Sequence, residues 1–241
     1  MSNQVSNPND SGESVLSWPW LVAGLVGIFV LTLTVSLFLP NLAPSLAKTL
    51  TGDSPKAYWY LSRGSAIIAY IFLWASMVFG LLVTNKMARL WPGGPAAMAM
   101  HEYVSLLGLG FAMFHALILM GDQYIHYNLA QILLPFGSFG YKPFWVGFGQ
   151  LGFYLMAIVT VIFYLRKRLG GTTWRTIHYA SFISFLFALV HGIMSGTDTA
   201  MPWMQWIYWT SAVSIVFLIA YRVTVNKLQA APPARPARPV S

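Results

Sequence analysis

The chain has no cysteine and very little charge: 8% of its 241 residues are Asp, Glu, Lys or Arg, and only six of these are acidic. Without thiols there are no disulfide frameworks, thiolate-bound metals, iron–sulfur clusters or thiol nucleophiles, and any metal chemistry falls to histidine. So few charges exclude a soluble domain, which carries about 25%. What is abundant is apolar, with 57% of residues hydrophobic and 16% aromatic. Most of the surface must therefore meet a lipid bilayer. The formal net charge of +8 lies in short basic runs between apolar stretches, a pattern of membrane topology rather than of nucleic-acid binding.

Six apolar stretches, 18–39, 58–83, 97–120, 144–165, 174–194 and 203–225, each reach the ~20 residues that a helix needs to cross a bilayer. They are continuous rather than alternating, which excludes a transmembrane β-barrel. The expected fold is an all-α integral membrane bundle of six helices over 18–227, flanked by disordered tails at 1–17 and 228–241. The first tail lacks the basic start of a signal peptide. Ten Lys and Arg, among them Lys86, Arg89, Arg166, Lys167, Arg168 and Arg175, fall on the side of the two termini, and four, Lys48, Lys56, Arg63 and Lys142, on the other. By the positive-inside rule both termini are cytoplasmic, in a plasma or bacterial inner membrane. In the long third connection, 128–134 reads as a short interfacial helix ended by Pro135.

Histidines within membrane helices usually face the bundle interior and mark sites. His101 and His115 share the third span, and His178 and His191 the fifth. Their spacings of 14 and 13 residues correspond to about 21 and 20 Å of helix. Both spans enter from the same side, so His101 pairs in depth with His178, and His115 with His191. Two opposed imidazoles are the axial set of a six-coordinate haem iron, whereas zinc or di-iron would need more ligands. Interhelical hydrogen bonding by unrelated histidines is the alternative. Fourteen residues leave His115 about 40° from the direction of His101, but thirteen leave His191 about 220° from His178. A 3₁₀ or π distortion is therefore expected between 182 and 190.

The segments HEYVSLLGLGFAMFHAL and GGTTWRTIHYASFISFLFALVHG resemble the ferric reductase-like transmembrane domain. That family includes the membrane portions of ferric reductases and NADPH oxidases, and the haem-binding membrane subunit of a bacterial methionine sulfoxide reductase. The likeness covers roughly 58–222. It implies two b-type haems between the third and fifth helices, with iron ligands His101 and His178 for one and His115 and His191 for the other. Some bacterial relatives lack the histidine matching His101, so the chain looks more like the full two-haem pattern. Larger members continue into a flavin and NADPH domain, whereas about sixteen residues follow the sixth span here. The resemblance thus implies an oxidoreductase component served by a separate cytoplasmic or membrane donor, a flavoprotein reductase or a quinol. Electrons would leave to an outer-face acceptor such as ferric iron. The alternative is a non-catalytic haem-binding anchor subunit of a separate reductase complex.

Further residues support either a cofactor or a plainer role. Arg63 would bind an outer-haem propionate or act as an interfacial anchor, and Arg175 would meet an inner-haem propionate or serve as a positive-inside loop charge. Gly108 and Gly110 admit either a macrocycle or a neighbouring helix. Phe111, Phe114, Phe182 and Phe185 line haem pockets or fill the core. His126 contacts an acceptor or is a solvated loop histidine. The eleven methionines read as core filler.

Overall fold

The computed structural model of the protein describes residues 14, 16–42, 44, 57–122, 125 and 127–230. Most of the two expected tails, together with Lys48, Lys56 and His126, lies outside the described residues. Those described are helical, without strands, and fall into α1 (Trp18–Leu42), α2 (Ala57–Thr84), α3 (Gly94–Ile118), α4 (Leu129–Leu133), α5 (Pro143–Leu169), α6 (Gly171–His178), α7 (Ala180–Ser195) and α8 (Pro202–Ala230). Six helical stretches among them are long and apolar enough to cross a membrane: α1, α2, α3, α5, α6 with α7, and α8. These are the six expected spans, each extended by a few residues.

Local chemistry sets the ends. α3 and α5 carry proline in the first turn, where the missing N–H has no helical partner in any case. α5 closes with Arg166, Lys167 and Arg168, whose charge suits the negative end of the helix dipole. The short α4 begins at Asn128, whose side chain accepts from the Gln131 N–H while the Gln131 side chain accepts from the Asn128 N–H. The Gln150 amide holds this loop from below by donating to the carbonyls of Gln131 and Ile132 at 2.7 and 2.8 Å.

Two tightly packed helix pairs form the bundle. On α3, a Cβ on Gly108 would meet Cβ of Phe72 at 3.3 Å and the Leu73 nitrogen of α2 at 3.4 Å. On α5, a Cβ on Gly152 would meet Cβ of Phe187 on α7 at 3.3 Å, and Ser184 donates to the Gly152 carbonyl at 2.7 Å. Small residues at such crossings let backbones approach, which is how membrane helices gain packing without a hydrophobic drive. A Cβ on Gly110 would meet Cδ1 of Ile28 on α1 at 3.1 Å, so both third-span glycines stand at helix crossings. α8 closes the bundle through Tyr70–Ser211 (2.5 Å) and Trp74 donating to Ser214 (2.8 Å). Its opposite face leaves Trp206, Trp209 and Phe217 exposed, as a lipid-facing surface should.

The fifth span is interrupted, but not where its phase suggested. Residues 180–195 form an unbroken helix, and the irregularity sits at Tyr179, between α6 and α7. The Tyr179 N–H is shared between the carbonyls of Arg175 and Thr176, both at 3.3 Å, and Phe182 N–H bonds back to Tyr179 O at 3.1 Å. The two i to i−3 contacts, to Thr176 and to Tyr179, wind the chain more tightly, adding about 20° per residue over an α-helix. The distortion thus directly follows His178 and supplies part of the missing rotation.

Candidate paired-histidine sites

The four span histidines meet as two pairs. His101 of α3 faces His178 of α6 with ring centroids 6.0 Å apart, and His115 of α3 faces His191 of α7 at 6.3 Å. A first-row metal held by one nitrogen of each ring at about 2.0–2.1 Å on a linear axis, with each nitrogen about 1.1 Å from its centroid, would separate the centroids by roughly 6.3 Å. The outer pair falls on that separation, and the inner pair is about 0.3 Å closer. Among the described residues no group of three or more His, Cys, Asp or Glu side chains gathers to hold a metal. A metal here would need its other ligands from elsewhere, as from a porphyrin that supplies four nitrogens itself.

Second partners fix three of the rings. Nδ1 of His101 donates to the Ser76 carbonyl at 2.8 Å, Nδ1 of His115 to the Ser62 carbonyl at 2.8 Å, and Nδ1 of His191 to the Trp145 carbonyl at 2.9 Å. A carbonyl only accepts, so in each ring Nδ1 carries the proton of the neutral imidazole and Nε2 keeps its lone pair. This is the arrangement by which proteins orient a metal-binding histidine. The Ser62 hydroxyl also donates to the His115 carbonyl at 3.1 Å. His178 differs: its Nδ1 is buried without a hydrogen-bond partner, as is Nε1 of Trp174, whose ring lies 5.3 Å away at 33°.

Sequence reasoning missed the glycines that admit these rings. Gly80 stands four residues after Ser76, and Gly149 four after Trp145, so each sits one helical turn beyond the accepting carbonyl. A Cβ on Gly80 would stand 3.2 Å from Cε1 of His101, and one on Gly149 would stand 2.7 Å from Nδ1 of His191. The imidazole lies across the helix where the side chain would be. A glycine at such a spacing on a neighbouring helix was the available signal, but it can be read only once the neighbours are known.

Each pair borders its own cavity, of about 360 Å³ for His101 and His178 and about 370 Å³ for His115 and His191, and Leu73, Met156 and Ser184 line both. Arg175 lines the first cavity, with its Nε donating to the Gly171 carbonyl of its own helix at 3.0 Å. Arg222 and the buried Glu102 line it too; Glu102 accepts from the Tyr164 hydroxyl at 2.8 Å. Arg63 lines the second cavity, where it forms a two-pronged ion pair with Asp198 and lies over the Trp59 ring. Phe182 borders the first cavity, and Phe185 belongs to the core cluster. In the loop beside the second cavity, burial pushes the Tyr127 phenol above its ordinary pKa, so it is a neutral hydroxyl in that wall.

The fold and these sites together define an all-helical, six-span protein with two stacked pairs of facing histidines. Comparison with protein-family models, with curated proteins and with solved structures finds no match.

Proposed function

We propose that the protein is a two-haem, b-type transmembrane electron-transfer protein of the ferric reductase-like kind. Its inner haem would be held by His101 and His178 and its outer haem by His115 and His191. The observation that carries this reading is the pairing: two sets of opposed imidazoles at metal-bridging separation, three of them with Nδ1 committed to a backbone carbonyl and Nε2 left for a metal. Each pair also borders a cavity of its own. Bound there, the haems would supply one-electron redox chemistry.

The chain's own residues do the rest. α3 sets the two sites about 21 Å apart by the rise from His101 to His115. Leu73 and Met156, shared by both cavities, keep water out between them. Arg175 and Arg222 on one cavity and Arg63 on the other offer cations for acidic cofactor edges. With both termini cytoplasmic, electrons pass from a cytoplasmic or membrane donor, a flavoprotein reductase or quinol, to the inner site. They leave from the outer site to an acceptor such as ferric iron.

The test is spectroscopic. Protein produced with ample haem and purified in detergent should bind two haems per chain and show low-spin, six-coordinate bands that sharpen on reduction. Haem-free protein, or a single high-spin haem, would sink the reading.

A further inference from the structure

Resting on that reading, we infer that His178 is the replaceable ligand of the inner site, which therefore takes a neutral diatomic π-acceptor of the carbon monoxide type while the outer site stays closed. Three observations about the chain lead there.

The first is the missing acceptor. The rings of His101, His115 and His191 each give their Nδ1 proton to a carbonyl, at 2.8, 2.8 and 2.9 Å, whereas Nδ1 of His178 has no partner. An acceptor on that proton raises the basicity of the opposite nitrogen and holds the ring in line, and losing such a partner weakens a metal site about 10–100-fold. Trp174 does not replace it: the indole lies against the imidazole ring but offers no acceptor, and its own N–H is unpartnered.

The second is the backbone beneath. His178 is the last residue of the eight-residue α6, which runs between Gly170, at φ +80°, and the irregular turn at Tyr179. His191 lies within the continuous α7, one turn before its end, and His101 and His115 lie on the 25-residue α3, His115 in its last turn. Rotation about the Tyr179 turn swings one imidazole without disturbing another.

The third is space against the ring. On the inner side a Cβ at Gly80 would press on the partner ring of His101 at 3.2 Å, a contact a small shift relieves, whereas at Gly149 it would collide with His191 at 2.7 Å. Of these two rings, the outer one, His191, is the more tightly confined. In the exchange, His178 leaves as neutral imidazole and a neutral two-electron donor takes its place, so charge and electron count are unchanged.

The experiment adds carbon monoxide to the dithionite-reduced, haem-loaded full chain. One of the two haems should convert to the carbon monoxide complex, with an affinity about 10–100-fold above that of the other, the scale set by one lost orienting partner. The conversion should persist in His115→Ala or His191→Ala, which lack the outer haem. It should become complete at lower gas concentration in His178→Ala, where no internal ligand competes. If His178→Ala does not fold, the wild-type and outer-site variants still decide. Two six-coordinate haems that ignore saturating carbon monoxide would overturn the inference and leave the proposed function standing, as would conversion of the haem that His115→Ala removes. A chain without haem would overturn both.

Discussion

A methyl group on Gly149 of α5 would stand 2.7 Å from Nδ1 of His191 and 2.8 Å from its Cγ. That nitrogen donates to the carbonyl of Trp145, one turn earlier on the same helix. Carbonyl and glycine act as a unit, one fixing the imidazole and the other making room for it. Gly149→Ala must therefore push the ring off its acceptor or force α5 and α7 apart, an overpacking cost of about 1–3 kcal/mol. The expected outcome is loss of the outer haem alone, halving the haem-to-protein ratio. Gly24→Ala on α1, which has nothing within 4 Å of its added carbon, should keep both haems. Equal haem loss in the two variants would refute the role of Gly149.

The pairing of the histidines makes a sharper prediction. His115→Ala and His191→Ala should abolish the same spectral component; His101→Ala should abolish the other, and His178→Ala should turn that same one from six- to five-coordinate. Reduced-minus-oxidised spectra of the four variants, read with haem stoichiometry, check this. Loss of one and the same haem in His101→Ala and His115→Ala would break the assignment.

The spans and the partnership of the histidines were legible because both follow from one-dimensional rules, apolar run length and rise per residue. The 14-residue step from His101 to His115 runs along an uninterrupted helix, so phase and depth were both readable. The 13-residue step on the fifth span required a distortion somewhere, yet periodicity cannot locate it. It fell at Tyr179 rather than within 182–190. The carbonyls of Ser62, Ser76 and Trp145 were invisible for a different reason: every residue has a carbonyl, and only tertiary packing decides which one meets a ring. The Arg63–Asp198 pair, 135 residues apart, was hidden likewise, because only tertiary packing brings the two side chains together.

That ion pair can be tested. The side chain of Asp198 is 7% exposed and that of Arg63 is 33% exposed. Asp198→Asn should cost about 1–3 kcal/mol, less than the 3–5 of a fully buried pair, because water still reaches the guanidinium. Thermal unfolding in detergent measures the loss. If Arg63 also serves the outer cofactor, freeing its charge should raise the potential of that haem, the one His115→Ala removes, and leave the other alone. An unmoved potential would return Arg63 to the role of an interfacial anchor.

Tyr70 tests how much polar contacts hold the bundle together. Its hydroxyl meets Ser211 at 2.5 Å in the buried seam between α2 and α8, and Ser211 also donates to the Tyr208 carbonyl at 2.9 Å. Tyr70→Phe removes one bond but strands no partner, so the cost should be near the ~0.6 kcal/mol average for polar contacts between membrane helices. Both haems should remain. A loss of several kcal/mol in detergent unfolding would mean that α8 is held by this seam rather than by packing of Ile215 and Leu218 in the core.

The missing cysteines make the orientation testable without background labelling. Leu90, in the connection between α2 and α3, is 90% exposed, and Phe139, in the connection between α4 and α5, is 89% exposed. Six spans with both termini inside put position 90 in the cytoplasm and position 139 outside. Leu90→Cys and Phe139→Cys, each the sole thiol in its chain, should react oppositely with an impermeant maleimide on intact cells: position 139 at once, position 90 only after the membrane is opened. Neither side chain touches a histidine pair, so both variants should bind haem as the parent does. The reverse labelling would invert the bundle, put His101 and His178 on the outside, and turn the proposed electron path around, because the basic loops would then face the acceptor.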